Sequence, residues 1–186
     1  VEPGVITQVF QEAVIEKGLF YPPDPSSRGT CFIGGNLAHC SGGPRAVKYG
    51  VTRDYVLDLE VVLASGDIIR TGAKVLKNST GYNLTQLFVG SEGTLGVITK
   101  VVFKLLPYPQ LNKVLLAPFR SPVKACAAVS AIFRAGIIPS ALEFMERDAI
   151  DWTLKFRSDI NLQIGEEENA HLLIEVDGND EEQILK

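Results

Sequence analysis

Three irregular segments constrain the fold of this chain more than any other feature of its sequence. They are residues 22–27 (PPDPSS), 33–43 (IGGNLAHCSGG) and 90–96 (GSEGTLG). Clustered glycine costs backbone entropy, so it indicates positive φ angles or a close approach of the backbone to something else. Backbone N–H groups that line a concavity bind anions such as phosphates. Each segment alone is consistent with a tight turn, but the three together favour a ligand cradle.

Standard nucleotide motifs do not explain these segments. The Rossmann fingerprint needs G-x-G-x-x-G between a strand and a helix, and neither Gly34-Gly35 nor Gly42-Gly43 supplies it. The phosphate loop that ends in Gly-Lys-Ser/Thr is also absent. From the motifs alone, the ligand is therefore an unspecified nucleotide. This interpretation requires residues 34–43 and 90–96 to fold toward each other.

Periodicity predicts mixed secondary structure before residue 107. Apolar residues at spacings of three and four predict a helix over 6–17, with Gly18 as its stop. Strict alternation predicts a strand over 55–64 that turns at Ser65-Gly66-Asp67 into a second strand. The remaining predictions are an irregular stretch over 34–44, a short helix over 83–88 and a strand over 97–106 that Pro107 and Pro109 end.

The same proline pair predicts a domain boundary, which separates residues 1–107 from residues 108–186. Beyond it, strands are predicted over 113–119, 140–145 and 171–176, with helices over 122–135 and 147–156. Short strands that alternate with helices indicate an α+β fold.

Composition excludes several classes of protein. Hydrophobic residues make up 46% of the 186 residues, yet no apolar run approaches the roughly 18 needed to span a bilayer. The net charge is −4 and lysine and arginine are scattered, which argues against a nucleic-acid partner. Cys31, Cys40 and Cys126 fit neither a zinc site nor a disulfide framework, so we expect reduced thiols in a cytoplasmic protein.

The run from PPDPSS through FIGGNLAHCSGGPRAVKYGV to KNSTGYNLTQLFVGSEGTLGVIT resembles the PCMH-type FAD-binding domain of the vanillyl-alcohol-oxidase superfamily. It is most similar to the branch that contains D-lactate dehydrogenase, D-2-hydroxyglutarate dehydrogenase and a subunit of glycolate oxidase. SALEFMERDAIDWTLKF, at residues 140–156, resembles the start of that branch's substrate domain. The resemblance implies the second subdomain of the FAD-binding domain over 1–107, followed by the start of a ferredoxin-like α+β substrate domain.

The resemblance also implies which residues contact FAD, which it holds non-covalently. Residues 23–27 match a loop along the flavin, and 34–36 match backbone near the pyrophosphate and ring. Residues 41–43 match a turn near the ribityl and ring atoms, and 92–98 match backbone that faces the pyrophosphate and adenine. The implied cofactor residues are Pro23, Asp24, Ser27, Gly34, Gly35, Asn36, Ser41, Gly42, Gly43, Glu92, Gly93, Thr94, Gly96 and Ile98.

Three positions receive no catalytic or metal role. The family usually has Asn at Cys40 and often an acidic residue at His39, and we expect neither covalent flavin attachment nor thiol chemistry there. We expect His171, at the start of a predicted strand, to lie on the surface. Because the chain begins at Val1 and its sole methionine is Met145, it is interpreted as an internal piece. The catalytic and metal residues are then expected outside it.

The implied activity is oxidation of a small D-2-hydroxy acid, of the glycolate or D-lactate type, by hydride transfer to flavin. An electron acceptor or an iron–sulfur partner subunit is the implied partner, and peripheral association with the inner membrane stays open. Two alternatives also stay open: an alkyl-glycerone-phosphate-synthase-like flavoenzyme, and a flavin-free interaction module with the same fold. We expect these 186 residues alone to bind FAD weakly or not at all, since part of the pyrophosphate site would lie upstream.

Overall fold

The structure, a computed structural model, describes residues 1–157 and 159–185. The chain divides into two compact units, Val1–Tyr108 and Pro109–Lys186. In the first unit, the elements in chain order are α1 (Thr7–Ile15), β1 (Leu19–Phe20), α2 (Ile33–His39), α3 (Ala46–Tyr49), a 3₁₀ turn (Thr52–Tyr55), β2 (Val56–Val62), β3 (Ile68–Arg70), α4 (Leu84–Phe88), β4 (Val97–Phe103) and β5 (Leu106–Pro107).

The main sheet of the first unit has the strand order β3-β2-β4, and both pairings are antiparallel. The alternation seen in the sequence places Val61 opposite Ile69 and Ile98 on the core-facing side. Gly66, at φ +89°, makes the tight turn between β2 and β3, which confirms the predicted hairpin. Leu59, a fully buried residue of β2, lies on the same face as Val61.

Helix α1 packs Phe10 and Val14 against this core, and the polar residues Thr7 and Gln11 are buried on the same helix. It ends three residues before Gly18, whose φ of +70° closes the helix in the left-handed region, where glycine carries no steric penalty. The residues buried together in the core come from α1, α2, α4 and the sheet: Val14, Tyr21, Ile33, Leu37, Tyr55, Leu59, Val61, Phe88, Val89 and Val101.

Two sequence predictions in this unit are wrong. The stretch 34–44 is not irregular throughout, because residues up to His39 belong to α2. The strand predicted over 97–106 ends at Phe103, and Leu106–Pro107 forms the separate strand β5. Pro107 lies opposite Leu19 in that two-stranded sheet, where a missing N–H is tolerated at an edge.

The second unit contains β6 (Leu111–Phe119), α5 (Pro122–Arg134), β7 (Ala141–Glu146), α6 (Arg147–Phe156), β8 (Ala170–Gly178) and α7 (Glu181–Leu185). Its sheet has the order β6-β8-β7, with β8 antiparallel to both neighbours. Strands β6 and β7 are therefore parallel and separated by one strand, the split β-α-β arrangement of ferredoxin-like folds. The predicted α+β class is confirmed.

Helix α5 begins where the sequence predicts. Ser121 caps it by accepting a hydrogen bond from the Lys124 N–H, and Pro122 occupies the first turn, where its missing N–H costs nothing. Ala125 on this helix packs against Ala170 and Leu172 of β8, all three fully buried. These contacts form the core of the second unit.

The prediction that His171 lies on the surface is wrong. Its side chain is only 3% exposed, and Nε2 lies 3.3 Å from the Glu168 carboxylate. The reason is the position of β8 as the central strand, flanked by Pro118 on β6 and Met145 on β7 at this register. Sequence periodicity identifies a strand but not its place in the sheet.

No helix of the described residues is both long and apolar enough to cross a membrane.

Candidate functional site

Helix α2 contains the first seven residues of the glycine-rich segment 33–43. Two adjacent glycines are poor helix formers, but Ile33 and Leu37, one turn apart, are both fully buried and hold the segment in place. The Gly34 N–H also donates to the carbonyl of Pro3 at 2.8 Å. Tertiary contacts thus make a helix from a sequence that favours a loop.

The helix ends at Cys40, which adopts the left-handed conformation with φ 52°. Glycine and asparagine are the residues that tolerate this C-terminal position best. The Ser41 N–H donates back to the Asn36 carbonyl at 2.9 Å, which satisfies an orphan carbonyl of the last turn. The asparagine that the resemblance leads one to expect at Cys40 therefore has a backbone explanation and needs no catalytic role.

The segment at residues 90–96 is a tight turn between α4 and β4. Gly90, Glu92 and Gly93 all have positive φ, at 86°, 52° and 76°. Thr94 closes the turn, since both its N–H and its hydroxyl donate to the Ser91 carbonyl. The turn directs the backbone N–H groups of Gly90 and Glu92 toward α2.

The two segments are in direct contact. The Gly90 N–H donates to the Leu37 carbonyl at 2.8 Å, and the Glu92 N–H donates to the Ala38 carbonyl at 3.0 Å. Between them lies a groove of about 220 Å³. The groove is lined by Gly34, Ala38, Ser91, Gly93, Gly96, Val97 and Ile98. The prediction that these segments fold toward each other is confirmed.

The structure brings four of the predicted cofactor residues into this groove: Gly34, Gly93, Gly96 and Ile98. Glycine at position 96 also allows close packing, because a Cβ there would lie 2.7 Å from Val61 Cγ1. Glu92 and Thr94 are exposed on the adjoining turn. The lining of the groove is mainly apolar, and at Gly34, Gly93 and Gly96 it consists of backbone.

Two predicted residues of α2 lie away from the groove. A Cβ at Gly35 would meet nothing within 4 Å, so this position faces open space. The side chain of Asn36 is buried and donates to the hydroxyl of Thr7. The backbone N–H of Asn36 donates to the Phe32 carbonyl, and Asn36 does not line the groove.

The remaining predicted residues form a second group, in which the 22–27 loop packs on the 41–43 turn. A Cβ at Gly43 would lie 2.3 Å from the Asp24 carbonyl oxygen, so only glycine fits there. Pro23 is buried, and its carbonyl accepts a hydrogen bond from the Gln11 side chain at 2.8 Å. Ser27 is exposed.

The 41–43 turn is anchored from its other side. The carbonyl of Ser41 accepts hydrogen bonds from both the N–H and the hydroxyl of Thr52, at 3.0 and 2.7 Å. Gly42 packs close to Val51, whose Cγ1 would lie 3.1 Å from an added Cβ. None of these residues lines the groove between α2 and the turn.

Sequence reasoning missed two arginines beside these segments. Arg45 lies with its Nε 3.6 Å from the Asp24 carboxylate and its guanidinium over the ring of Phe20. Arg53 donates from Nε to the Cys40 sulfur at 3.0 Å, and Gly90 leaves room for the same guanidinium. The run GGPR, in which Arg45 directly follows a predicted turn, was the available signal for the first.

A polar pocket of about 320 Å³ lies beside the 22–27 loop and includes Asp24, Arg28 and Arg45. Outside the groove lining, His39 Nδ1 lies 4.0 Å from the Glu92 carboxylate, and both side chains are largely exposed. Among residues 1–157 and 159–185, no group of three His, Cys, Asp or Glu side chains could hold a metal ion.

The sequence matches two family models. Residues 1–72 match the FAD binding domain, and residues 108–186 match the C-terminal domain of FAD linked oxidases. The chain therefore combines sequence of an FAD binding domain with sequence of the C-terminal domain of FAD linked oxidases, which supports FAD as the cofactor.

Two named relatives are similar to nearly the whole of this chain. The chain is 52% identical over 178 residues to glycolate oxidase subunit GlcD of Bacillus subtilis strain 168, an alignment that covers 96% of this chain and 37% of the relative. It is 42% identical over 190 residues to D-lactate dehydrogenase of Anaerostipes hadrus, covering 99% of this chain and 39% of that protein. The chain thus spans less than half the length of these relatives.

A solved structure of alkyldihydroxyacetonephosphate synthase superposes on this chain with a TM-score of 0.76, over 96% of this chain and 34% of that one. The sequence identity is 24%, so the likeness establishes the fold alone.

Proposed function

We propose that this chain forms part of the FAD site of an oxidoreductase that oxidises a small D-2-hydroxy acid, of the glycolate or D-lactate type. The observation that carries the proposal is the groove between α2 and the 90–96 turn. Its walls are peptide backbone at Gly34, Gly93 and Gly96, in a chain that matches the FAD binding domain. Walls of backbone allow a dinucleotide to approach closely, because glycine has no side chain to keep it away.

Under this proposal, residues 1–107 are the C-terminal half of the FAD-binding domain and residues 108–186 begin the substrate domain. The groove residues bind the dinucleotide, whereas the loop at Asp24 and the turn at Gly43 orient the flavin ring. The flavin, when bound, supplies the redox chemistry. What this chain contributes is the position of the cofactor and the exclusion of water from one side of it.

The names of the relatives favour this substrate class over the alternatives. One relative at 52% identity is named as a glycolate oxidase subunit and one at 42% as a D-lactate dehydrogenase, whereas alkyldihydroxyacetonephosphate synthase resembles the chain at the level of fold. Because one relative is named as a subunit, we also propose a partner, either an iron–sulfur subunit or another electron acceptor.

The direct test uses the protein expressed from its complete gene. We expect a flavin absorption spectrum that bleaches anaerobically on addition of glycolate or D-lactate and does not bleach with L-lactate. Flavin that stays oxidised with every 2-hydroxy acid would contradict the substrate class. Protein that takes up no FAD would contradict the cofactor site and favour the flavin-free module.

A pair of variants tests the groove itself. Ala38→Leu adds apolar volume inside the groove and is expected to weaken FAD binding by at least about tenfold, since overfilling a close-packed site displaces its occupant. His39→Leu is the control, because the side chain of His39 is 67% exposed and lies outside the groove lining. Equal affinity in the two variants would show that FAD does not occupy this groove.

A further inference from the structure

The two faces of α2 carry different residues. Positions 34 and 38 are one turn apart and lie together on the groove side. Residue 36 is rotated by about 200° from Gly34 around the helix axis, which directs it to the opposite face. Its side chain is buried at 3% exposure and does not reach the groove.

On that opposite face, Asn36 meets α1. Its amide Nδ2 donates to the hydroxyl of Thr7 at 2.5 Å. The Thr7 hydroxyl in turn donates to the Cys31 carbonyl at 3.3 Å, and the Thr7 N–H donates to the same carbonyl at 3.0 Å. Thr7 is fully buried. One residue of α1 thus bonds both to α2 and to the strand-like segment just before it.

We propose that Thr7 and Asn36 form a clamp that positions α2 for FAD binding, so that Thr7 is a positioning residue for a site it does not touch. The inference rests on the proposed function, because it takes the groove to be the FAD site. It assigns to Asn36 a supporting role through its side chain, in addition to the backbone role that the resemblance implies.

The physical reason is the weakness of α2 as an isolated helix. It has seven residues and two adjacent glycines, so local propensity contributes little to its stability. Its carbonyls at Leu37 and Ala38 nevertheless hold the 90–96 turn through two hydrogen bonds. Any displacement of α2 therefore moves both walls of the groove, and buried hydrogen bonds with fixed geometry resist such a displacement better than apolar packing does.

The test compares FAD affinity in three variants of the complete protein, measured by adding FAD to the apoprotein and following the flavin fluorescence. Thr7→Val keeps the shape of the side chain but removes the hydroxyl, and about tenfold weaker binding is expected because the Asn36 amide loses its acceptor. Thr7→Ser retains the hydroxyl and should bind FAD within about twofold of wild type, a rescue that loss of packing alone would not produce.

Val14→Ala provides the stability control. Val14 is buried on α1 and belongs to the same core, but its side chain makes no hydrogen bond to α2. We expect this variant to lose at least as much stability to urea as Thr7→Val while its FAD affinity stays within about twofold of wild type. If Thr7→Val does not fold, Asn36→Ser, which shortens the donor, replaces it in the comparison with the same expected loss of affinity.

Wild-type affinity in Thr7→Val and Asn36→Ser would overturn the clamp and leave the proposed function intact. An equal loss of affinity in Val14→Ala would also overturn it, because the effect would then be one of general stability. A wild-type protein that takes up no FAD would overturn the proposed function, and the role of the clamp with it.

Discussion

The two adjacent glycines of α2 are expected to respond to alanine in opposite directions. A Cβ at Gly34 would lie 2.7 Å from Pro3 Cβ and 3.2 Å from the Pro3 carbonyl oxygen, which already accepts the Gly34 N–H. A Cβ at Gly35 would meet nothing within 4 Å. Gly34→Ala therefore forces the Pro3 segment to move, whereas Gly35→Ala does not.

The magnitude follows from two terms. In a helix, replacing glycine by alanine stabilises by about 0.5–1 kcal/mol, and this gain is common to both variants. Forcing extra volume into a packed site costs about 1–3 kcal/mol, and this cost applies to Gly34→Ala alone. The common gain cancels in the comparison, so Gly35→Ala should be about 1–3 kcal/mol more stable than Gly34→Ala.

Urea unfolding in the absence of FAD measures this difference, with the slope of each transition compared to show that the unfolded reference is unchanged. We expect Gly35→Ala to be as stable as wild type or more stable, and Gly34→Ala to be less stable. Equal stability of the two variants, or a more stable Gly34→Ala, would refute the packing of α2 against the Pro3 segment.

Two further predictions concern the first unit. Replacing Cys40 by Asn should raise the free energy of unfolding in urea by about 0.5–1 kcal/mol, because Asn tolerates the left-handed conformation better. The Asn amide oxygen can also accept the Arg53 hydrogen bond. A less stable variant would contradict this prediction. Burial raises the pKa of Tyr55 to about 12, so the neutral phenol is favoured in the folded state and stability should fall as pH rises from about 10 through 12. Tyr55→Phe should lose about 1 kcal/mol of stability near neutral pH, because the hydrogen bond to the Tyr49 carbonyl is lost, and its stability should fall less steeply as the pH rises. Tyr82→Phe is the control, since Tyr82 is 95% exposed. An equally steep loss of stability with pH in the two variants would contradict the raised pKa of Tyr55.

Periodicity carried much of the fold prediction. The alternation through residues 55–64 predicted β2, and Gly66 located the turn into β3. In the second unit, the helix predicted over 122–135 is observed at Pro122–Arg134, and its start at the Ser121 cap is fixed by contacts within the first turn. The order of elements from β6 to β8 was also predicted, since each of them contains its own apolar pattern, whereas α7 was not predicted.

Contacts between distant segments decided the rest. The sequence of α2 favours a loop, and it becomes a helix because Ile33 and Leu37 are buried by residues far away in the chain. His171 was expected at the surface because its own neighbours do not show that β8 is the central strand.

The candidate site divides in the same way. The glycine clusters and the family resemblance predicted from the sequence alone that 34–43 and 90–96 contact a ligand, because glycine is the residue that a close approach of the backbone requires. Which of those residues face the groove was not visible: Gly34 lines it, whereas the Asn36 side chain turns to Thr7, 29 residues earlier in the chain. A helix places residues two positions apart on opposite faces, and only tertiary packing determines which face meets the 90–96 turn.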